Sequence, residues 1–566
     1  MGMDRKKAAR ALRRIATLLE LNGANPHRAR AFHTASRAVE RLQGDLEDRL
    51  ASGAILEVPG IGRGTSAVLA ELAAGQTPKV LAELEAGTPP GVLEMLELPG
   101  LGPKKVRKLW TGLGVVTLGE LEYACRENRL LELAGFGPAS QTAVLDALRF
   151  VLGARERVLV HRARAWADEL AERIAAAGSV ARVTVAGELR RGVETVGELS
   201  LVVESDHGEA ARVAVLAALG PDARVDGSVV LGRLGSGLAC RVRVSELAEA
   251  GAALLAETGP EEHLELLAAR AATGGLELDA AGLRSSSGPR ASTTEEEVYG
   301  ALGVPWMPPE LREEPRWLEQ AAAGALPDLV APDDLRGALH NHTTDSDGVA
   351  SVAEMAAAAA ARGWLFLGIA DHSPAAVYAH GVDADRLHEQ WRRIDQLNSR
   401  AALRILKGLE ADILPDGRLD IPAGCEDGLE YVVASVHSSF RLAREAQTAR
   451  LEAAVRHPAC RVLGHPTGRL LLARAGYDID LERVLAACAE SGVVAEVNAS
   501  PYRLDLDSHW ARRALELGVR LAVNPDAHEP EGLDDVRWGL TVARRAGARA
   551  ADLVNCADDP MPPRRR

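Results

Sequence analysis

The sequence contains few cysteines and no long apolar run. Its six cysteines are scattered without a Cys-x-x-Cys pair, which argues against a zinc ribbon and favours reduced thiols in a cytoplasmic protein. No apolar stretch reaches the length of a membrane span, and the first residues, MGMDRKKAARALRR, lack the apolar core of a signal peptide. We therefore expect a cytoplasmic protein without a membrane partner.

Length and charge divide the chain into unlike parts. The 566 residues exceed one hydrophobic core, so two or more domains are expected. Residues 1–150 hold 20 Lys and Arg against 17 Asp and Glu, whereas the rest holds 46 against 63. Any affinity for nucleic acid should therefore concentrate in the N-terminal part.

Three glycine turns recur within residues 1–150, at 58–62 (VPGIG), 98–102 (LPGLG) and 134–137 (AGFG). A lone turn of this kind is usually a plain helix connector. Repeated before helix-like segments, it leaves backbone N–H groups at helix N-termini, where DNA phosphates can bind. This is the helix-hairpin-helix pattern, and AGFG is its weakest copy. The candidate DNA-binding residues are Gly60, Gly62, Gly100, Gly102, Lys104 and Lys105.

Histidines and acids recur at the ends of apolar, β-branched-rich runs in the last 230 or so residues, as in LFLGIADHS and YVVASVHSS. One such histidine is more often a core residue than a ligand, but the repetition predicts convergence at one end of a barrel. Mixed imidazole and carboxylate ligands suit Zn²⁺, Mn²⁺ or Fe²⁺. The candidate metal ligands are His340, His342, Asp347, His372, Glu410, His437, His465, Asp526 and His528. We interpret Asp412 and Asp420 as turn or cap residues.

The middle of the chain carries motifs of a known family. They are GxxRRGxETVG at 187–197, TGPEEH at 258–263 and PPELRE at 308–313. With the hairpin turns and the strand-end series, they resemble the bacterial family X DNA polymerases. Those proteins join a polymerase β-like core to a C-terminal polymerase-and-histidinol-phosphatase (PHP) domain, and the resemblance covers essentially the whole chain.

The resemblance implies a multidomain protein of α and α/β classes. Residues 1–150 would form the helix-hairpin-helix DNA-binding domain, and residues 151–325 a nucleotidyltransferase-like palm with a thumb-like subdomain. Residues 333–556 would form a distorted (β/α)7 PHP barrel, and residues 557–566 a flexible tail. The Pro- and Ala-containing stretch near 320–335 suits a linker.

The PHP pattern also implies three divalent metals, Zn²⁺ or Mn²⁺ and possibly Fe²⁺. His340, His342, Glu410 and Asp526 would hold the first, with Glu410 bridging to a second held by His437 and His465, and Asp347, His372 and His528 would hold the third. The resemblance assigns catalytic roles to Glu410, Asp526 and His437. Closely spaced cations lower the pKa of water and neutralise phosphate charge.

Three further residues lie beside this series. Asp371 precedes His372 and could orient a ligand. Arg469 and Arg503 are phosphate-binding candidates, because a guanidinium pairs with phosphate in bidentate fashion. The alternative for both arginines is a surface or interdomain salt bridge.

The polymerase site departs from the family pattern. Where the family has Gly-Asp-x-Asp, this chain has Gly197, Glu198, Leu199 and Ser200, and the position of a third Asp aligns with Arg241. Two-metal nucleotidyl transfer needs clustered carboxylates. We therefore predict a degenerate polymerase site, in which a salt bridge from Arg241 to Glu198 could replace the metals. A shifted alignment of Arg241 is the opposing interpretation.

A second activity of polymerase β-like domains is also expected to be absent. The Schiff-base lysine that follows the first hairpin aligns with Val68, and an imine needs an amine.

The function predicted from these patterns is a DNA-repair-associated, metal-dependent phosphoesterase. We expect a 3′–5′ exonuclease that acts through the PHP domain on gapped DNA, nicked DNA or 3′ ends, with the polymerase core retained for DNA binding. Two alternatives stay open: an active gap-filling polymerase with 3′–5′ exonuclease activity, and a non-catalytic DNA-end-binding protein. Protein partners stay unknown from the sequence.

Overall fold

The computed structural model describes residues 5–42, 46–153, 157–235, 237–290, 292–400 and 402–561. Contacts divide the chain into two compact units, Met1–Arg149 and Phe150–Arg566. The first boundary lies one residue from the predicted one. The predicted division at 325–333 does not separate compact units, because the palm and the barrel belong to the same unit. No helix of the described residues is both long and apolar enough to span a bilayer.

The N-terminal unit is helical. Its turns use glycine where the backbone needs positive φ, with Gly60 at +96° and Gly100 at +82°. Gly62 and Gly102 then cap the helices that follow them. The helices are α1 (Arg5–Leu21), α2 (Pro26–Glu40), α3 (Leu46–Ala51), α4 (Arg63–Ala73), α5 (Lys79–Ala86), α6 (Pro90–Met95), α7 (Pro103–Leu113), α8 (Leu118–Arg126) and α9 (Pro138–Gly153).

The palm is built on a five-stranded sheet in the order β2-β4-β7-β6-β5, with β4 and β7 parallel and the other pairs antiparallel. The inner strand β4 is almost wholly buried, as its apolar run predicts. The elements are β1 (Val158–Leu159), α10 (Val160–Ala175), β2 (Arg182–Ala186), α11 (Gly187–Arg190), β3 (Thr195–Val196), β4 (Glu198–Glu204), α12 (Gly208–Leu219), β5 (Arg224–Asp226), β6 (Val229–Arg233) and β7 (Ala239–Ser245).

The thumb-like subdomain is fastened to the palm by a buried ion network. Glu295 accepts from Arg190 and from the fully buried Arg312 at 2.7 Å each. Burial alone would raise the pKa of Glu295, but these two arginines lower it to about 2, so the carboxylate stays ionised. The elements are α13 (Ala250–Thr258), α14 (Glu261–Thr273), β8 (Leu276–Asp279), β9 (Gly282–Ser285), β10 (Gly288–Arg290), α15 (Glu295–Ala301) and α16 (Pro315–Ala322).

The C-terminal region is a nearly closed barrel of seven parallel strands in sequence order. A bridge between Asn341 and Ala527 brings its first and last strands together at their carboxyl ends. Asp383, Asp480 and Asp507 cap three of its helices through their side chains. The elements are β11 (Gly337–Ala338), α17 (Val352–Ala361), β12 (Phe366–Ile369), α18 (Ala384–Asn398), β13 (Arg404–Asp412), β14 (Tyr431–Ser435), α19 (Arg444–Val455), β15 (Cys460–Leu463), α20 (Leu481–Ser491), β16 (Val494–Asn498), α21 (Ser508–Glu516), β17 (Leu521–Asn524) and α22 (Val536–Arg545).

A shared core explains why the palm and the barrel form one unit. One cluster of buried apolar side chains runs from palm residues such as Val160 and Leu201 to barrel residues such as Leu504 and Leu540. The connecting segment takes part, because Val330 is fully buried and donates its N–H to Ala548. The stretch predicted as a linker is therefore packed at Val330.

The predicted flexible tail is only partly described. Pro560 and Met561 are buried, and Met561 packs with an apolar cluster of the barrel that includes Leu339 and Phe366. Two residues of the predicted tail, Pro560 and Met561, are therefore packed against the barrel region, whereas Asp558 and Asp559 are exposed. Residues 562–566 lie outside the described residues.

Candidate metal centre

The strand-end histidines and acids converge at the carboxyl end of the barrel. His372 follows β12, Glu410 lies near the end of β13, His437 follows β14 and His465 follows β15. Each of the four side chains is at most 9% exposed. Parallel strands end at the same edge, so residues far apart in sequence meet there.

Glu410 stands at the centre of the cluster. Its Oε1 lies 3.2 Å from Nε2 of His340, 3.3 Å from Nε2 of His437 and 3.0 Å from Nε2 of His465. Its Oε2 lies 2.8 Å from Nδ1 of His372. One carboxylate therefore faces imidazoles on both of its oxygens, as expected of a ligand shared between neighbouring cations.

Asp526 closes a second group. Its Oδ1 lies 3.0 Å from Nε2 of His342 and 3.5 Å from Nε2 of His340. Asp526 has φ +54° and His465 has φ +24°, a backbone region that residues other than glycine rarely adopt. Such outliers concentrate at functional sites.

Asp347 organises a third group. Its Oδ1 lies 3.4 Å from Nε2 of His528, and its Oδ2 lies 3.5 Å from Nε2 of His372. His342 joins them through Nδ1, 3.9 Å from Oδ1 of Asp347. The ligand atoms of these four residues lie within 4.8 Å of one another. His342 thus borders two groups, whereas the family pattern placed it with the first metal alone.

The chemistry of the donor set fits divalent cations. Several buried donor and acceptor atoms have no hydrogen-bond partner within the described residues, and a buried polar atom without one is costly. Burial would raise the pKa of Glu410, but His340, His437 and His372 hold it well below its usual value. These atoms include Nε2 of His340, Nδ1 of His342 and Oδ2 of Asp347.

Two acids that the sequence analysis did not identify as part of the site orient the imidazole rings of ligand histidines. Glu496, fully buried in β16, lies 2.8 Å from Nδ1 of His340. Asp412 lies 2.6 Å from Nδ1 of His437, so its interpretation as a turn or cap residue is wrong. A carboxylate on the second ring nitrogen fixes the tautomer and orientation of a ligand histidine. The strand spacing put Asp412 two residues after Glu410, on the same face, and this signal could have identified it.

Asp371 supports the ligand-bearing segment rather than a single histidine. Its carboxylate accepts hydrogen bonds from the N–H and hydroxyl of Thr343, from the hydroxyl of Ser346 and from the amide of Gln390. These bonds fix the turn between His342 and Asp347.

The structure separates the two arginine candidates. Arg503 is buried, with Nε 3.9 Å from Oδ2 of Asp526, beside the cluster. Arg469 points to the palm, where its Nη2 lies 2.8 Å from Oε1 of Glu194, and it makes the interdomain salt bridge that was its alternative.

An aromatic residue missed in the sequence lies at the mouth of the cluster. The Tyr378 ring centroid is 6.1 Å from that of His372 and 6.3 Å from that of His437, edge-on to both. The neighbouring Val377 is 79% exposed.

The palm places the predicted degenerate residues on two adjacent strands. Ser200 on β4 pairs in register with Arg241 on β7, so the alignment of Arg241 agrees with the strand pairing. Arg241 bonds Glu257 through Nε at 2.9 Å. Glu257 also pairs with Arg243 at 2.7 Å, so the partner of Arg241 is Glu257 rather than Glu198, the partner considered from the sequence.

The turn that opens α11 is bonded to other parts of the palm through Glu188. Glu188 accepts the N–H of Gly197 at 2.6 Å and pairs with Arg157 at 2.9 Å. A cavity of about 700 Å³ is lined by these groups and by Glu198, Ser200 and Arg241.

The N-terminal unit has a basic cleft beside its first hairpin turn. Arg37, Arg41 and Arg49 line a cavity of about 740 Å³ together with Val58 and Pro59. The sequence showed the basic character of this segment but not that these arginines face one cleft.

The other hairpin residues differ in whether their donor groups are free to bind a DNA phosphate or already contact other groups of the protein. The N–H of Gly62 donates to the hydroxyl of Thr65 at 3.0 Å, so that donor is already engaged. Lys104 is exposed, and Lys105 lies over the ring of Phe136 in the third turn, 5.4 Å from its centroid.

In comparisons with known proteins, four family models match separate stretches of the chain. Family models match a helix-hairpin-helix domain at residues 3–78, a SAM-like helix-hairpin-helix tandem at 92–149, the DNA polymerase beta thumb at 253–313 and the PHP domain at 338–500. The chain is 34% identical over 567 residues to the "DNA polymerase/3′-5′ exonuclease PolX" of Bacillus subtilis (strain 168), covering 98% of this chain and 97% of the relative. The chain belongs to the PolX family.

The barrel of this PolX-family chain also has shorter relatives. It is 30% identical over 227 residues to a probable phosphatase of Thermoanaerobacter sp. (strain X514), covering 38% of this chain and 87% of that protein. The PHP model spans the candidate ligands from His340 to His465. Asp526 and His528 lie beyond the matched residues, and the fold brings them into the cluster.

Proposed function

We propose that this PolX-family protein is a metal-dependent 3′–5′ exonuclease acting on gapped DNA, nicked DNA or 3′ ends in the cytoplasm. The observation that carries the proposal is the convergence of nine imidazole and carboxylate side chains, seven of them buried, at one end of the barrel. The relative named above carries the same activity in its printed name. Hairpin turns in the same chain make DNA the substrate that the barrel would receive.

The residues present would hold up to three divalent cations, Zn²⁺, Mn²⁺ or Fe²⁺. Glu410 would bridge, with His340, His342 and Asp526 on one side and His437 and His465 on the other. Asp347, His372 and His528 would complete the third position. Such cations, when bound, lower the pKa of water and neutralise the charge that builds on a phosphodiester.

The protein's own groups would orient the substrate. Arg503, buried beside Asp526, has a guanidinium that can pair with a phosphate. Glu496 and Asp412 hold ligand imidazoles in one tautomer, and Tyr378 offers an aromatic face or edge to a terminal base.

Two activities compete for the palm. The printed name of the Bacillus subtilis relative favours an active polymerase. The residues of this chain favour a palm that binds DNA without extending it, because Ser200 and Arg241 stand where carboxylates would hold Mg²⁺, and Glu257 is paired with arginines. We propose the second, with template-directed extension as the outcome that would establish the first.

One gel assay tests both parts. A 5′-labelled gapped DNA is incubated with Mn²⁺, with and without dNTPs, beside a His342→Ala variant. Shortening by the unaltered protein and a loss of at least about a hundredfold in the variant are expected, because His342 borders two ligand groups. A His388→Ala variant, altered outside the cluster, should keep full activity.

Other outcomes point elsewhere. Extension by dNTPs would establish the polymerase alternative. Metal-dependent release of phosphate from a 3′-phosphorylated end without shortening would favour the activity named for the phosphatase relatives. DNA binding without any turnover would leave the non-catalytic DNA-end-binding alternative.

A further inference from the structure

We propose that Glu194, a residue of the palm, is a positioning residue for the metal centre of the barrel. The inference rests on the proposed hydrolytic function of that centre. It adds a side chain from outside the PHP domain to a site whose ligands all come from the barrel.

Glu194 reaches the barrel through one charged hydrogen bond. Its Oε1 accepts from Nη2 of Arg469 at 2.8 Å. The two side chains are 18% and 16% exposed, so water screens the pair less than it screens a surface ion pair.

Arg469 in turn contacts a single segment of the barrel, residues 503–507. Its Nε donates to the carbonyl of Arg503 at 3.0 Å, and its Nη2 also donates to the carbonyl of Leu504. Its Nη1 lies 3.5 Å from Oδ2 of Asp507. The guanidinium therefore holds segment 503–507, which follows β16, against the palm.

The other side of segment 503–507 meets the metal ligands. The Arg503 guanidinium lies 3.9 Å from Oδ2 of Asp526. The carboxylate of Asp505 accepts the N–H groups of Thr467 at 3.0 Å and Gly468 at 2.9 Å, in the loop that begins at His465. The same five residues are thus linked to the palm through Arg469 and contact the surroundings of two ligands directly.

A second palm contact lies next to the first. The ring of Tyr502, one residue before the segment, packs on the ring of His161 at the start of α10, with centroids 5.3 Å apart. The segment is therefore held to the palm at two independent points.

Loss of Glu194 should loosen this connection. Arg469 would keep its carbonyl partners and the more distant Asp507 but lose its closest carboxylate, and a partly buried guanidinium without that partner is destabilised. Segment 503–507 would then hold Asp526 and the His465 loop less firmly. Because groups that orient ligands affect metal affinity and turnover by about tenfold or more, we expect kcat to fall about tenfold.

The test uses full-length Glu194→Ala and Glu194→Gln proteins. The control is Glu314→Ala, which removes another ion pair between the thumb-like subdomain and the barrel, that of Glu314 with Arg512. Substrates are the gapped DNA and the small phosphodiester thymidine 5′-monophosphate p-nitrophenyl ester. Hydrogen exchange of EDTA-treated protein supplies a readout that needs neither metal nor turnover.

The expected result has three parts. Glu194→Ala loses about tenfold in kcat on both substrates, because the defect lies at the metal centre that both substrates use. KM for DNA is little changed, because the surfaces that bind DNA are unaltered. Amides of residues 467, 468 and 505 exchange faster than in the control. Glu194→Gln, which keeps an acceptor of the same shape, loses less than Glu194→Ala.

Defined results overturn the proposal. The proposal is wrong if Glu194→Ala and Glu314→Ala show equal kcat and equal hydrogen exchange. If Glu194→Ala fails to fold, Glu194→Gln is compared with Glu314→Ala in the same way. Turnover of neither substrate by the unaltered protein would instead be a failure of the proposed function, and the exchange result would then decide on Glu194 alone.

Discussion

Each ligand histidine has two ring nitrogens, and the partner of the second one decides how the ring is aimed. His340 has Glu496 at 2.8 Å and His437 has Asp412 at 2.6 Å. The sequence identified both histidines as ligands because they follow apolar strands. It did not identify the two acids as their partners. Asp412 had one signal, its same-face spacing from Glu410, whereas Glu496 had none until the ring opposite it was known.

Asp412→Ala should reduce exonuclease activity by about ten- to a hundredfold and raise the Mn²⁺ concentration needed for half-maximal activity. The cause would be a His437 ring that is no longer held in one tautomer. Mn²⁺ titrations of activity measure both effects.

Asp420→Ala is the matched control. Asp420 is a nearby acid whose carboxylate accepts the backbone N–H of Ala375. Equal loss in both variants would show that local structure, and not the orientation of His437, is responsible.

At the scale of elements, the hairpin turns and the barrel strands follow the sequence closely. The three glycine turns form with positive φ at Gly60, Gly100 and Gly135, because a side chain would be unfavourable there. The pairing of Arg241 with Glu257 was not predictable, because those residues come from a strand and from the following helix α13.

Lys104→Ala combined with Lys105→Ala should weaken DNA binding similarly for all sequences. Both lysines lie in the first turn of α7, behind the second hairpin turn, where they would neutralise backbone phosphates. The slope of log affinity against log salt should fall by about one for each lysine that contacts a phosphate. Fluorescence anisotropy with labelled gapped DNA at several salt concentrations measures the slope.

Lys79→Ala provides the comparison, because Lys79 is exposed at the start of α5, outside the hairpin turns. An unchanged slope in the double variant would exclude these lysines from the DNA contact.

At the scale of the whole molecule, a shared hydrophobic core joins the palm and the barrel into one unit. The cluster of buried side chains that joins Leu201 to Leu540 continues through Val330, so the barrel completes its core with palm residues. Linker-like composition near 320–335 suggested separation, but tertiary packing makes the palm and the barrel one unit.

A fragment of residues 150–566 should therefore fold and hydrolyse the small p-nitrophenyl ester at a rate close to that of the full chain. Its affinity for gapped DNA should fall, because the hairpin turns and the net positive segment are absent. A fragment of residues 333–566 should be less stable, since it exposes apolar surface that the palm covers. Thermal unfolding and ester hydrolysis of the two fragments check this, and equal stability would contradict a shared core.

The sequence by itself determined the hairpin turns, the barrel and the nine candidate ligands, because turn glycines and strand-end polar residues act locally and parallel strands share one edge. Only the tertiary structure decided which residues meet across those elements. Glu496 and Asp412 face ligand rings, Arg241 faces Glu257, and Arg469 faces Glu194, since side-chain contacts between distant segments depend on packing that no local pattern records.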